Sequence, residues 1–154
     1  MNASGALCVT RDELEALGKS GAGAIVTKSM TIESRQGNPT PRYYGFPGGS
    51  INSMGLPNLG YRAYAELIPH LKRFGKPVIA SVAGLGEEDF PTIAEAINAA
   101  KPDLIEVNLS CPNIPGKPQI GYDPETSERV LKKVRPLITV PMGVKLPPYF
   151  DPAH

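Results

Sequence analysis

The chain has 154 residues, a net charge of +1, and a composition 41% hydrophobic and 20% charged, which is ordinary for a globular domain with a buried core. It offers no basic face for nucleic acid or acidic lipid, and no apolar run of the roughly 18–20 residues that a membrane span needs. Met1–Gly5 lacks the regions of a signal peptide, and Cys8 and Cys111 form neither a disulfide framework nor a metal-site spacing, so a reducing, cytoplasmic setting is expected.

In chain order, Met1–Gly5 is a candidate stub of a first strand. Thr10 and Glu13 form a capping box for a helix over about Arg11–Lys19, with Leu14 and Leu17 on one face. Ala24-Ile-Val-Thr27 reads as a short buried strand ending at Lys28-Ser29. Met30 to Leu59 is a Gly- and Pro-rich connection of about thirty residues, far beyond the usual loop unless it has a function. Tyr64, Leu67, Ile68, Leu71 and Phe74 fall at helical spacing. Pro69 inside that pattern predicts a kink or an earlier break, and Gly75 a helix end. A strand follows at Pro77–Ala83, then an amphipathic helix through Phe90, Ile93, Ala94, Ile97 and Ala100, then a strand at Leu104–Leu109. Asp123 caps a further helix with Pro124 at its first position, lined inside by Val130, Leu131 and Val134. Val140–Leu146 is the last strand. His70 falls within a helix and His154 ends the chain, too few histidines for a metal site.

Strands alternating with helices imply a parallel sheet, either doubly wound or a (β/α)₈ TIM barrel. No Gly-x-Gly-x-x-Gly turn follows the first strand, which weakens the dinucleotide-binding version. The polar residues favour the barrel. Ser4 and Gly5, then Lys28, then Asn108, Ser110 and Cys111, then Lys145 all fall at the ends of parallel strands. In a barrel those ends ring one mouth, where the chemistry is done. Singly, each has a structural alternative. A strand-end lysine is commonly a solvated charge, Cys111 a small packed hydrophobe, and Asn108 a partner for local backbone. Cys8 reads as structural. Lys72-Arg73 and Arg129, Lys132, Lys133 and Arg135 read as solvated helix faces.

The string Asn108-Leu-Ser-Cys-Pro-Asn-Ile-Pro-Gly-Lys-Pro-Gln119 resembles the catalytic-loop signature of dihydroorotate dehydrogenases. Gly49-Ser-Ile-Asn-Ser-Met-Gly-Leu-Pro-Asn-Leu-Gly60 resembles the substrate-binding loop of the same family. Thr27-Lys-Ser29 and Gly143-Val-Lys-Leu-Pro-Pro-Tyr-Phe-Asp151 resemble two of its flavin-contacting strand ends, and Met1-Asn-Ala-Ser-Gly5 the end of its first barrel strand. The match runs through the whole chain in order and is similar to the soluble, homodimeric, fumarate-using class 1A. Cys111 argues against the membrane class, which uses serine as its base; the NAD-linked class also uses cysteine.

The resemblance implies oxidation of (S)-dihydroorotate to orotate in pyrimidine biosynthesis, with FMN as cofactor and fumarate as electron acceptor. Cys111 would take the C5 proton while FMN takes the C6 hydride. Lys28, Asn52, Met54, Gly55, Leu56, Asn108 and Asn113 would hold substrate. Ala3, Ser4, Gly5, Lys28, Ser29, Asn108 and Lys145 would contact FMN. The residue types suit that chemistry. Asparagine amides offer donor and acceptor together to a flat polar ring. Lysines stabilise negative charge on a reduced flavin. A thiol whose ordinary pKa is about 8.5 serves as a base through its thiolate fraction.

The expected architecture is residues 1–154 as the N-terminal portion of one FMN-binding TIM barrel, covering about its first five strands and four helices, with the flavin phosphate site outside them. Two other readings stand beside it. One is another FMN barrel acting on pyrimidines, similar to a dihydropyrimidine dehydrogenase domain, which the Asn-Ser-Met-Gly-Leu loop disfavours. The other is a non-catalytic half-barrel.

Overall fold

In the computed structural model, which describes residues 1–111 and 119–149, helix α1 spans Arg11–Lys19 and opens on the expected capping box. The Thr10 hydroxyl accepts from the Glu13 N–H, and the Glu13 carboxylate accepts from the Thr10 N–H. Strand β1 (Ile25–Val26) follows. Next come β2 (Tyr43–Phe46) and β3 (Gly49–Asn52), α2 (Tyr61–Leu71), β4 (Val78–Val82), α3 (Asp89–Ala99), β5 (Leu104–Asn108), α4 (Pro124–Val134) and β6 (Met142–Lys145). Asp123 caps α4 through the Thr126 N–H, with Pro124 at its start.

The principal sheet has the order β1-β4-β5-β6, with every pairing parallel. The helices lie side by side, α1 against α2, α2 against α3 and α3 against α4. The core fills the space between helices and sheet. Val78, Ala80, Ile105 and Val107 from the strands meet Leu14, Tyr64, Ile68, Phe90, Ile93, Ile97, Val130 and Val134 from the helices. Strand alternation turns the intervening residues to the other face. There Val26, Ile79, Leu104, Glu106 and Gly143 line a cavity of about 240 Å³. Among the described residues, no helix is long and apolar enough to cross a membrane.

Three expectations are corrected. Met1–Gly5 does not form a strand. It lies alongside β1 through one side chain: the Asn2 amide accepts from the Val26 N–H at 2.9 Å and donates to the Val26 carbonyl at 2.8 Å. A single side-chain amide thus supplies the hydrogen bonds of a neighbouring strand. Second, the connection after β1 is partly regular, because β2 and β3 pair as an antiparallel hairpin whose residues are all exposed. Third, the earlier break at Pro69 does not occur: α2 runs through it to Leu71, and only then tightens into a 3₁₀ turn over Lys72–Phe74. Ile68 and Leu71 on either side of the proline are fully buried, and their packing holds the helix against a penalty of about 3 kcal/mol. Gly75, in the left-handed region at φ 65°, then ends it as expected.

The basic helix faces are surface-paired. Arg129 binds Glu87, Lys133 binds Glu88 and Lys132 binds Glu128. Glu15 gathers more partners, accepting from Arg11 at 2.9 Å, His70 at 2.8 Å and Arg73 at 3.0 Å, and so ties α1 to α2. Hydrogen bonds from Arg11 and then His70 hold its carboxyl down from the ordinary 4.5 to about 2. A depressed carboxyl contributes stability above its unfolded value and loses it as the pH falls through the folded one. Thermal melts from pH 7 to pH 2 should therefore show Glu15→Gln melting below the parent at neutrality, with the gap closing between about 4.5 and about 2. A gap unchanged across that range would show that the carboxylate charge is not what joins the helices.

Candidate active site

Parallel pairing brings the ends of β1, β5 and β6 to one rim of the sheet. At that rim is a cavity of about 180 Å³ lined by Ser4, Gly5, Lys28, Ser29, Asn52, Met54, Leu56, Asn108, Cys111 and Lys145, together with Ala6 and Ser110. Most of the residues singled out from sequence therefore meet in one place, although Asn52 and Lys145 are 93 positions apart. Ala3 lines instead the cavity shared with Val26, Ile79, Leu104 and Glu106. Gly55 is not among the lining residues. Its role is in the backbone: φ is 71°, and a Cβ there would sit 2.3 Å from the Asn38 side-chain oxygen, so glycine alone fits the turn that presents Met54 and Leu56. Asn113 lies outside the described residues.

Lys28 is aimed into the cavity by an irregularity in the sheet. Ile25 pairs with Val78 and Val26 with Ile79, but Met30 pairs with Val82, so the first strand carries one extra residue. Thr27 and Met30 donate to Ile79 and Ser81, while the Lys28 N–H leaves the ladder for the Cys8 carbonyl at 2.9 Å. The Thr27 hydroxyl accepts from the Ser81 N–H across the gap. Such a bulge bends the strand and redirects a side chain. Cys8 is thus structural as expected: it is 1% exposed, and burial pushes its thiol up to about 11.

Lys28 is 6% exposed, and its Nζ donates to the Ser4 carbonyl at 3.1 Å and the Gly5 carbonyl at 3.0 Å. Burial lowers its pKa, and the sulfurs of Cys8 and Cys111 act in the opposite direction. A buried ammonium among neutral carbonyls is costly unless an anion joins it. The second cation, Lys145, donates to Glu106 Oε1 at 2.8 Å and to the Ser4 hydroxyl. Asn108 donates from Nδ2 to Ser29 Oγ at 2.9 Å, and its Oδ1 accepts from the Ser110 N–H and hydroxyl.

Three supporting groups were not singled out from sequence. Glu106 lies at the centre of the polar cluster, and Ser81 links it to Ser29. The signal for Glu106 was present: it is a carboxylate inside a buried parallel strand, two residues before Asn108 and hence on the same face. Asn58, 2% exposed, is the third. It accepts from the Thr31 and Gly60 N–H groups and donates to the Leu56 carbonyl, anchoring the Met54–Leu56 segment to the residues after β1.

The sequence model described as dihydroorotate dehydrogenase matches residues 1–154. A Streptococcus uberis protein provisionally named dihydroorotate dehydrogenase A (fumarate) is 50% identical over 157 residues, covering 100% of this chain and 50% of its own length. A Streptococcus pyogenes protein of the same provisional name is also 50% identical over the same extent. The dihydroorotate dehydrogenase (fumarate) of Trypanosoma brucei brucei is 48% identical over 160 residues, again over 100% of this chain and 50% of the relative. The chain spans about half the length of the curated relatives it matches. With the family match over its full length, this chain belongs to the dihydroorotate dehydrogenase family.

Proposed function

We propose that residues 1–154 form the N-terminal part of a (β/α)₈ barrel that oxidises dihydroorotate to orotate, with FMN as cofactor and fumarate as electron acceptor. The observation that carries this reading is the meeting of Cys111, Lys28, Asn52 and Asn108 around one cavity at the C-terminal rim of a parallel sheet. The names of the relatives support the substrate and the acceptor.

The donor set fits a flavin. Lys28 keeps a buried ammonium beside the cavity, and Lys145 adds a second cation on the same rim; both suit negative charge arising on a reduced isoalloxazine. FMN, when bound, supplies the hydride acceptor. Ala3, Ser4, Gly5, Ser29 and Lys145 would hold it. Asn52 and Asn108, with Asn113, would bind the polar edges of the substrate ring, and Met54, Gly55 and Leu56 would close over it. Cys111 takes the C5 proton as its thiolate, and Lys28 neutralises charge that develops between substrate and cofactor. The cavity, at about 180 Å³, is below the roughly 300–1,000 Å³ of small-molecule sites. It suits the pyrimidine ring, with the flavin shared with the rest of the barrel.

The test is anaerobic spectroscopy of the full-length protein. Flavin absorbance near 450 nm (roughly) should bleach on adding dihydroorotate and return on adding fumarate. A colourless protein, or a flavin that dihydroorotate does not bleach, would refute the reading.

A further inference from the structure

We propose that Glu106 is the positioning residue of this site: it is the common end point of two hydrogen-bond arms, one orienting the Asn108 amide and the other fixing the Lys145 ammonium. The inference rests on reading the cavity as the substrate and flavin site.

The first arm follows from counting protons. An ionised carboxylate only accepts, and each serine hydroxyl has one proton to give. Ser81 Oγ lies 2.7 Å from Glu106 Oε1, so its proton goes to the carboxylate. The 2.8 Å contact between Ser29 and Ser81 must then use the proton of Ser29. Ser29 Oγ is left as an acceptor toward Asn108, which therefore turns its NH₂ to Ser29 at 2.9 Å. The far end agrees independently, because Asn108 Oδ1 faces the Ser110 backbone N–H at 2.9 Å, which can only donate. The amide is held from both ends, with its donor and acceptor sides defined before any ligand arrives. The second arm is ionic. Lys145 donates to Oε1 at 2.8 Å and to the Ser4 hydroxyl, and Ser4 donates to the same Oε1 at 3.3 Å. Hydrogen bonds of both arms thus converge on one oxygen. No buried side-chain polar atom among the described residues is left without a partner, and a fully satisfied network of this kind is rigid.

The two arms predict different kinetic faults. In the holoenzyme, Ser81→Ala cuts the arm to Asn108 and leaves the Lys145–Glu106 pair. It should raise KM for dihydroorotate, and Kd for orotate read from the flavin spectrum, roughly tenfold at nearly unchanged kcat. Glu106→Gln keeps an acceptor oxygen for Ser81 but removes the charge facing Lys145. It should lower kcat roughly tenfold or more with KM near the parent value. A purely structural role would lower thermal stability without this split, and that result overturns the proposal. If Glu106→Gln does not fold, Ser81→Ala alone decides: parental KM and Kd would overturn it. A neutron structure of the deuterium-exchanged protein tests proton direction without turnover. The deuteron of Ser29 should point to Ser81 and that of Ser81 to Glu106; a Ser29 deuteron aimed at Asn108 would overturn the proposal. If Lys28→Met and Cys111→Ala leave turnover intact, the cavity is not the site, and the functional reading falls together with this one. If those two variants are impaired while Glu106→Gln and Ser81→Ala are parental, only this inference falls.

Discussion

Replacing Cys111 by alanine in the full-length enzyme is expected to lower dihydroorotate oxidation by roughly 10²–10⁴-fold, the usual cost of removing a general base, while flavin stays bound. Cys111 lines the cavity at the end of β5, in electrostatic contact with Lys28. The deprotonated sulfur is the form that accepts a proton. The flavin-holding groups proposed here lie on other segments, at Ser4, Ser29 and Lys145, so removing the sulfur leaves them in place. Cys111→Ser should retain part of the activity with its pH profile moved upward, because an alcohol is a far weaker acid and forms its anion only at higher pH. Steady-state rates against pH, beside the flavin-to-protein absorbance ratio, make the measurement. Parental rates in Cys111→Ala would remove this residue from the chemistry.

Lys28→Met should lower kcat/KM by about 10²–10³-fold, the scale of losing one preorganised charge-stabilising donor, with a modest change in melting temperature. Two effects on stability oppose each other. The Ser4 and Gly5 carbonyls lose their donor, which costs about 1–3 kcal/mol when such groups are buried. Against that, the fold no longer holds an ammonium whose burial lowers its pKa. Methionine keeps most of the aliphatic stem and therefore the packing. Lys28→Arg should not rescue, because a planar guanidinium does not fit where a compact ammonium is 6% exposed. Kinetics and thermal melts on the same samples separate the outcomes. Parental kcat/KM in Lys28→Met would show that the lysine only anchors the Ser4-Gly5 turn.

Much of this protein was determined by local sequence. The Thr10–Glu13 capping box and the Asp123-Pro124 start of α4 are contacts within a few residues, and both are present in the structure. The helical periodicity of Phe90, Ile93, Ala94 and Ile97 becomes the buried face of α3 for the same reason. Lys28, Asn108 and Lys145 were legible as rim residues because parallel pairing alone places strand ends together. The roles given to them came from the resemblance of their flanking strings.

Tertiary structure decided what depends on partners distant in sequence. The β2–β3 hairpin has no buried face and so shows no alternation to read. Met1–Gly5 resembles a strand end, but the Asn2 amide meets the hydrogen-bonding needs of Val26, 24 residues away, without one. The bulge that aims Lys28 exists because the Cys8 carbonyl captures its N–H, and no local propensity encodes that competition. Glu106 is locally one charge in a strand, and only folding sets Ser81, Lys145 and Ser4 around a single carboxylate oxygen. Caps and helix faces are short-range energetics, set by neighbours a few residues apart. The direction of a proton along a chain of hydroxyls is set only when residues 4, 29, 81, 106, 108 and 145 are brought within hydrogen-bond reach.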